Sequence, residues 1–217
     1  RFCNGLAADQ AAYGFKLLGG DTIRSGNGLQ VSVTAIGEVE QGRAVRRCGA
    51  RPGDAVFVSG TIGDAAAGLR ARLDPDFVRG HRLTTDEESL ILDRYLLPRP
   101  RTGLADVLVR FATASLDISD GLFADSGHLA AASAVDLSLE LAALPLSAAM
   151  QRLRESDAAG FVRCLNGGDD YEILATVGAG DADAFSQAAA AAGCPVTLAQ
   201  AYDQQSEKVP LPRGDPL

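Results

Sequence analysis

The sequence predicts an α+β fold, a mixed sheet with helices packed on one face, and three observations carry that prediction. Short apolar runs, some with two-residue alternation, interleave with Ala-rich runs of helical spacing. Helices do not follow every strand at the regular spacing of a parallel doubly wound fold. Runs of Gly and Asp punctuate the ends of the apolar stretches, where strands turn.

In chain order, Leu6 to Phe15 has apolar positions at helical spacing and is expected to be a helix. Gly19-Gly20-Asp21 ends it or starts a tight turn, and Ser25 to Gly28 is a polar loop. Leu29 to Val39 reads as a strand, because Leu29, Val31, Val33 and Ala35 alternate with Gln30, Ser32 and Thr34. Gln41 to Asp54, rich in Gly and Arg, is a connector, and a domain boundary is expected within it: residues 1–44 in one domain, 45–217 in the next. Ala55 to Ser59 is a short apolar strand that turns through Gly60–Asp64 into the helix Ala65 to Leu73, with Thr61 or Asp64 as its cap. Glu87 to Leu96 is a further helix, stopped by Pro98 and Pro100. Leu104 to Ala114 reads as helix and Ser115 to Ser119 as strand. Asp120-Gly121 then turns into a helix from Leu122 to about Ser133. A strand over Val135 to Leu141 and a helix over Ser147 to Arg154 follow. The last elements are a strand from Tyr171 to Val177, a helix from Asp181 to Ala192 and a strand over Val196 to Ala199. From Gln204 the chain is charged and Pro-rich, and a loose tail is expected.

The 217 residues are 47% hydrophobic, enough to bury a sizeable core. A net charge of -8 argues against a duplex-DNA binder, which needs a basic face. An acidic chain can still bind a polyphosphate when cations lie between them. Lys16 and Lys208 are the only lysines, so positive charge is mostly arginine, which suits bidentate phosphate contacts. Cys3, Cys48, Cys164 and Cys194 form no CxxC pair. They read as reduced, mostly buried thiols of a cytoplasmic protein. No apolar run is long enough to span a bilayer, and no signal peptide is recognised.

Chemistry concentrates in three acidic turns: Gly19-Gly20-Asp21-Thr22, Asp117-Ile118-Ser119-Asp120-Gly121, and Gly167-Gly168-Asp169-Asp170-Tyr171-Glu172. Carboxylates on strand-end turns suit hard cations such as magnesium, which take oxygen ligands and share them with phosphates. Each turn has an ordinary alternative. Asp21 fits a plain turn, Ser119 or Asp120 a helix cap, the Asp169–Glu172 run a capped turn with Glu172 solvated on a strand. His128 reads as structural. Thr61-Ile62-Gly63 offers N–H groups at a helix start, an anion seat of the kind every helix has. Arg43, Arg46 and Arg47 suit phosphates or a solvated loop. No GxxxxGK[ST] or GxGxxG run is present.

Taken in order, these motifs resemble the thiamine-monophosphate kinase family, of the superfamily named after aminoimidazole ribonucleotide synthetase. The resemblance rests on Leu18–Thr22, Arg47–Asp54, Ser59–Asp64, Leu116–Leu122 and Gly167–Glu172, and runs from Gly5 to about Val196. It implies the end of an N-terminal ATP-binding domain followed by the superfamily's C-terminal domain. It implies transfer of the ATP γ-phosphoryl group to thiamine monophosphate, with ATP and Mg2+ bound, in a cytoplasmic homodimer free of nucleic acid and membrane.

By resemblance, Asp21, Asp117 and Asp120 are magnesium ligands. Gly20, Asp21, Arg47 and Ser119 lie against ATP, and Asp169 contacts the substrate where the family usually has Glu. No side-chain nucleophile is expected, because the acceptor phosphate oxygen is already ionised; direct in-line transfer then suffices. The family's early acidic segments and its aromatic thiamine-contacting segment are not recognised in these 217 residues, so little kinase activity is expected of the chain by itself. Two other readings stand beside this one. The first is another superfamily enzyme, of aminoimidazole ribonucleotide, selenophosphate or hydrogenase-maturation type. The second is a non-catalytic fragment or binding module.

Overall fold

The computed structural model describes residues 2–199 and the backbone of 209–210. The chain divides into two compact units, Arg1–Gly42 and Arg43–Leu217.

The first unit holds helix α1 (Phe2–Tyr13), closed by the Gly14 N–H donating to the Gln10 carbonyl at 2.9 Å. The strand expected over Leu29 to Val39 does not form: these residues are exposed and pair with nothing in a ladder. Alternation marks a segment able to bury one face, but a strand exists only through a partner's N–H and C=O groups. The described residues of this unit supply none.

The second unit is built on a four-stranded sheet of order β2-β4-β1-β5: β1 (Ala55–Ser59), β2 (Ala112–Ile118), β4 (Glu172–Val177) and β5 (Val196–Leu198). Every neighbouring pair is antiparallel. β1 and β2 therefore run the same way with β4 between them, and β4 and β5 the same way with β1 between them, a split βαβ arrangement. The α+β class stands, while two details of the expectation change: the sheet is antiparallel rather than mixed, and helices cover both of its faces. Val56, Val58, Ala114, Ile118 and Leu174 pack under α2 (Asp64–Leu73), α4 (Thr85–Leu96), α6 (Leu122–Ser133), α7 (Ala148–Ser156) and α8 (Ala158–Leu165). Ala55, Phe57, Ala175 and Val177 pack against α5 (Ala105–Phe111) and α9 (Ala182–Ala191). A strand buried on both faces reads as a continuous apolar run, as β1 does, and loses the alternation that marks a solvated face.

Element boundaries follow the hydrogen bonds. Thr84 and Glu87 form a capping box, so α4 starts before the expected Glu87. Ser147 caps α7 by accepting the Met150 N–H at 3.1 Å. The expected helix through Ala114 stops at Phe111, because Ala112 and Ala114 are paired to Val177 and Thr176 of β4; sheet pairing overrides alanine's helix preference. Two helices were unforeseen: the single turn α3 (Phe77–Gly80), and α8, whose Asp157 side chain accepts the Gly160 N–H at 2.8 Å. The expected Val135–Leu141 strand shrinks to β3 (Ser138–Leu139), paired with β6 (Val209–Pro210). Apart from those two residues, the tail expected to be loose from Gln204 lies outside the described residues.

Of the four thiols only Cys164 is buried; Cys194 is intermediate, and Cys3 and Cys48 are exposed, against the expectation of mostly buried cysteines. Burial raises the Cys164 thiol above its ordinary pKa. Among the described residues, no helix is long and apolar enough to cross a membrane.

Candidate functional site

Two of the three acidic turns are locked together at one end of the sheet. The Asp169 N–H donates to the Ser119 carbonyl at 3.0 Å, and the Tyr171 N–H to the Ile118 carbonyl at 2.9 Å. Close approach requires glycine at the contact. A Cβ on Gly168 would lie 2.1 Å from the Ser119 oxygen, and one on Gly121 (φ +113°) would lie 2.6 Å from the Asn166 backbone. Beyond the strand ladder, Asp169 and Tyr171 hold left-handed φ values of 72° and 50° on either side of Asp170. Such conformations cost of order 1–3 kcal/mol each and need anchoring by their surroundings.

Asp170 is the anchor. It is 1% exposed, and its carboxylate accepts N–H groups from Gly63 at 2.6 Å and Ala65 at 3.0 Å, at the start of α2. The proposed anion seat at Thr61-Ile62-Gly63 is therefore filled by an internal carboxylate. Neither Thr61 nor Asp64 caps the helix, since the Thr61 hydroxyl donates to the Asp64 carboxylate at 2.5 Å instead. Burial pushes the Asp170 carboxyl up to about 7, against the lowering effect of those two N–H groups. Asp64, also buried and held by the Ser147 hydroxyl at 2.5 Å, is shifted upward by the same cause.

Glu172, for which a solvated strand position was the ordinary alternative, is fully buried. It pairs with the guanidinium groups of Arg94 and Arg101 and accepts the Ser59 hydroxyl at 2.5 Å. With Asp170 and Glu172 inside, Asp169 is the acid of this run that faces solvent.

On the other turn, Asp117 is exposed near the end of β2, opposite Ile173. β2 ends at Ile118, so Ser119 lies in the turn rather than on Asp117's face of a strand. Asp120 is exposed and Ser119 half-buried. Neither caps α6: its N-cap is Gly121, with no side-chain cap bond. The charges of Asp169, Asp117 and Asp120 all bear on the Tyr171 phenol, whose pKa is raised by partial burial first and by these carboxylates next. In general, like charges at a surface repel by about 1 kcal/mol per close pair, and a cation between them relieves that repulsion.

Sequence reasoning missed Asp125, one helical turn into α6 and 3% exposed. Its Oδ2 accepts the Ser119 N–H at 3.0 Å and the Asp120 N–H at 2.9 Å. Burial raises its pKa, against the effect of those two bonds. Among the described residues, Asp120, Asp125 and His128 bring ligand atoms within 4.8 Å of one another, so His128, set aside as structural, stands beside the acidic turn. The five-residue step from Asp120 to Asp125 was the available signal. An acid placed there reaches back over the turn that starts its own helix.

Arg47 is exposed on the segment that passes the outer edge of β2, where the Ser115 N–H donates to the Arg46 carbonyl at 3.0 Å. The Ser133 hydroxyl ties the same segment to α6 by accepting the N–H groups of Gly49 at 3.1 Å and Ala50 at 3.2 Å. Gly20 and Asp21 belong to the first unit and are exposed there; the Asp21 carboxylate accepts the Thr22 N–H at 2.7 Å.

The donor set on the two locked turns is hard carboxylate oxygen, the chemistry that suits magnesium. No protein-family model matches the chain. Individual proteins do: thiamine-monophosphate kinase of Caulobacter vibrioides is 42% identical over 199 residues, 90% of this chain and 54% of that protein. The chain is homologous to the thiamine-monophosphate kinases. It spans about half the length of the curated relatives it matches. Among solved structures, the thiamine-monophosphate kinase of Stenotrophomonas maltophilia K279a superposes with a TM-score of 0.63 at 39% identity, over 74% of this chain and 51% of that one. A second, AaThiL complexed with AMPPCP and TMP, superposes at 0.57 with 33% identity, over 71% of this chain and 46% of that one.

Proposed function

We propose that this chain carries phosphate-binding turns of a thiamine-monophosphate kinase, and takes part in ATP- and Mg2+-dependent phosphorylation of thiamine monophosphate to thiamine diphosphate. The observation that carries the reading is the pairing of the Asp117–Gly121 and Gly167–Glu172 turns, which gathers three solvent-facing carboxylates that, among the described residues, serve neither as caps nor in ion pairs. The solved relative bound to AMPPCP and TMP supports the choice of ligands.

In this reading Asp117 and Asp120 are magnesium ligands of the second unit, and Asp21 is a magnesium ligand of the first. Gly20, Arg47 and Ser119 lie against ATP, and Asp169 meets the acceptor. Asp169 is one methylene shorter than the Glu of the family pattern, so its contact is longer or passes through water. Bound magnesium supplies neutralisation of phosphate charge. The chain's own contribution is placement: rigid turns that hold carboxylates and N–H groups at fixed positions, which is most of what phosphoryl transfer asks of a protein. Transfer is direct and in line, with no side-chain nucleophile. Residues 1–44 belong to the end of an ATP-binding domain and 45–217 to a C-terminal domain, within a cytoplasmic homodimer.

The test is thiamine diphosphate formation, measured by chromatography. The 217-residue chain alone is expected to form little. A chimera that adds the part of the Caulobacter vibrioides relative beyond the match is expected to turn over, and to stop when EDTA removes the metal. Asp117→Asn with Asp120→Asn in that chimera should lower turnover by about a hundredfold or more at unchanged melting temperature. A folded chimera without product would refute the activity. Undiminished turnover of the double variant would remove these carboxylates from the site.

A further inference from the structure

We infer that Asp125 is a positioning residue: from the first turn of α6, one of its carboxylate oxygens holds the Ser119–Asp120 turn in the geometry that presents Asp120 to a divalent cation. The inference rests on the reading of Asp120 as a magnesium ligand. It adds a residue that touches neither metal nor nucleotide in that reading. Three features set Asp125 apart from the exposed acids around it. It is 3% exposed, so it is a fixed part of the fold. Both N–H groups go to the same atom, Oδ2, at 3.0 and 2.9 Å. Those N–H groups belong to the residues that connect β2 to α6, where the backbone has left the ladder and Gly121 has not yet begun the helix. Without Asp125 the two amides would lose their partner, and their peptide planes would be held from the carbonyl side alone, where Ile118 and Ser119 accept the Tyr171 and Asp169 N–H groups, and would shift. The Asp120 carboxylate would move with them. Outer partners of this kind typically carry ten- to hundredfold effects on metal affinity.

A single oxygen receiving both bonds gives the inference a sharp consequence. Asparagine keeps one carbonyl oxygen and loses the charge; alanine loses both. A positioning role therefore predicts that Asp125→Asn preserves the turn and Asp125→Ala does not. A ligand role for Asp125 predicts that both variants fail alike.

The experiment uses the 15N-labelled 217-residue chain and its two variants. One readout is hydrogen exchange at the Ser119 and Asp120 amides; the other is broadening of the Asp120 resonance by Mn2+. In Asp125→Ala, exchange at both amides should rise about tenfold or more, and the Mn2+ concentration for half-broadening should rise by about the same factor. Asp125→Asn should stay within about threefold of the unaltered chain on both.

Unchanged exchange and Mn2+ response in a folded Asp125→Ala would overturn the inference. So would an Asp125→Asn that keeps its amide protection yet loses the Mn2+ response with Asp125→Ala. Should Asp125→Ala fail to fold, Asp125→Asn decides alone: lost amide protection sinks the inference, and retained protection with retained Mn2+ response supports it. If Mn2+ leaves Asp120 of the unaltered chain untouched, the metal assignment of the proposed function fails, while the exchange data still decide whether Asp125 sets the turn.

Discussion

Glu172 sits where β4 begins, and its surroundings turn a commonplace strand acid into a node of the second unit. Arg94 of α4 and Arg101 converge on it, and Ser59 of β1 donates a hydroxyl from the neighbouring strand. Removing one partner of a buried ion pair leaves the others desolvated without compensation, a loss of about 3–5 kcal/mol. Glu172→Gln, which keeps the shape and removes the charge, should cost that much in urea unfolding; a cost below about 1 kcal/mol would show that the arginines find other partners. Gly168 makes a second point at this scale. Gly168→Ala drives a Cβ into the Ser119 oxygen, so the two acidic turns must part. A loss of roughly 1–3 kcal/mol is expected, with weakened Mg2+ dependence of nucleotide binding in calorimetry. Of these roles, none but the acidity of Glu172 and the abundance of glycine was legible in the sequence, because burial and close approach are properties of pairs of segments distant in the chain.

At the scale of elements, α2 depends on an acid 107 residues away for its first turn. Helices usually find caps among adjacent residues, and Thr61 and Asp64 were reasonable candidates. The fold instead binds them to each other and uses Asp170, which thereby fixes the left-handed residues on either side of it. The stability consequence has a definite sign. The Asp170 carboxyl ordinarily titrates near 3.8 and is raised to about 7 in the folded chain. A folded state that holds its proton more tightly is favoured at low pH, and that stability is lost as pH rises toward 7. Asp170→Asn cannot titrate. The stability of the unaltered chain minus that of the variant should therefore fall by about 3 kcal/mol between pH 5 and pH 8. A difference independent of pH would mean that the two N–H groups stabilise the carboxylate as fully as water does. Asp157 before α8 and Thr84 with Glu87 at the start of α4 show the opposite case, in which the cap lies within three residues of the N–H it satisfies, although neither was read from the sequence.

At the scale of the whole molecule, the second unit owns the two apolar layers, one on each face of the sheet. The first unit leaves Leu18, Ile23, Leu29, Val33 and Ile36 at least 80% exposed. Apolar surface in water favours association. In analytical ultracentrifugation the 217-residue chain should self-associate with rising concentration. A chain of residues 43–217 should stay monomeric. A monomeric full chain across the range would show that these side chains are covered in solution.

Local chemistry was enough to place strand Ala55–Ser59, the helices begun by Ser147 and Leu122, and the acidic turns proposed to bind phosphate, because periodicity, caps and Gly-Asp punctuation act between residues close in the chain. Tertiary structure alone decided the rest. It set which acids face water and which are sealed inside, placed helices on both faces of the sheet, recruited Asp125 to the Ser119–Asp120 turn, and left Leu29–Val39 without a ladder. Each of these depends on a partner distant in sequence, and burial, desolvation and strand pairing have no value until that partner is in place.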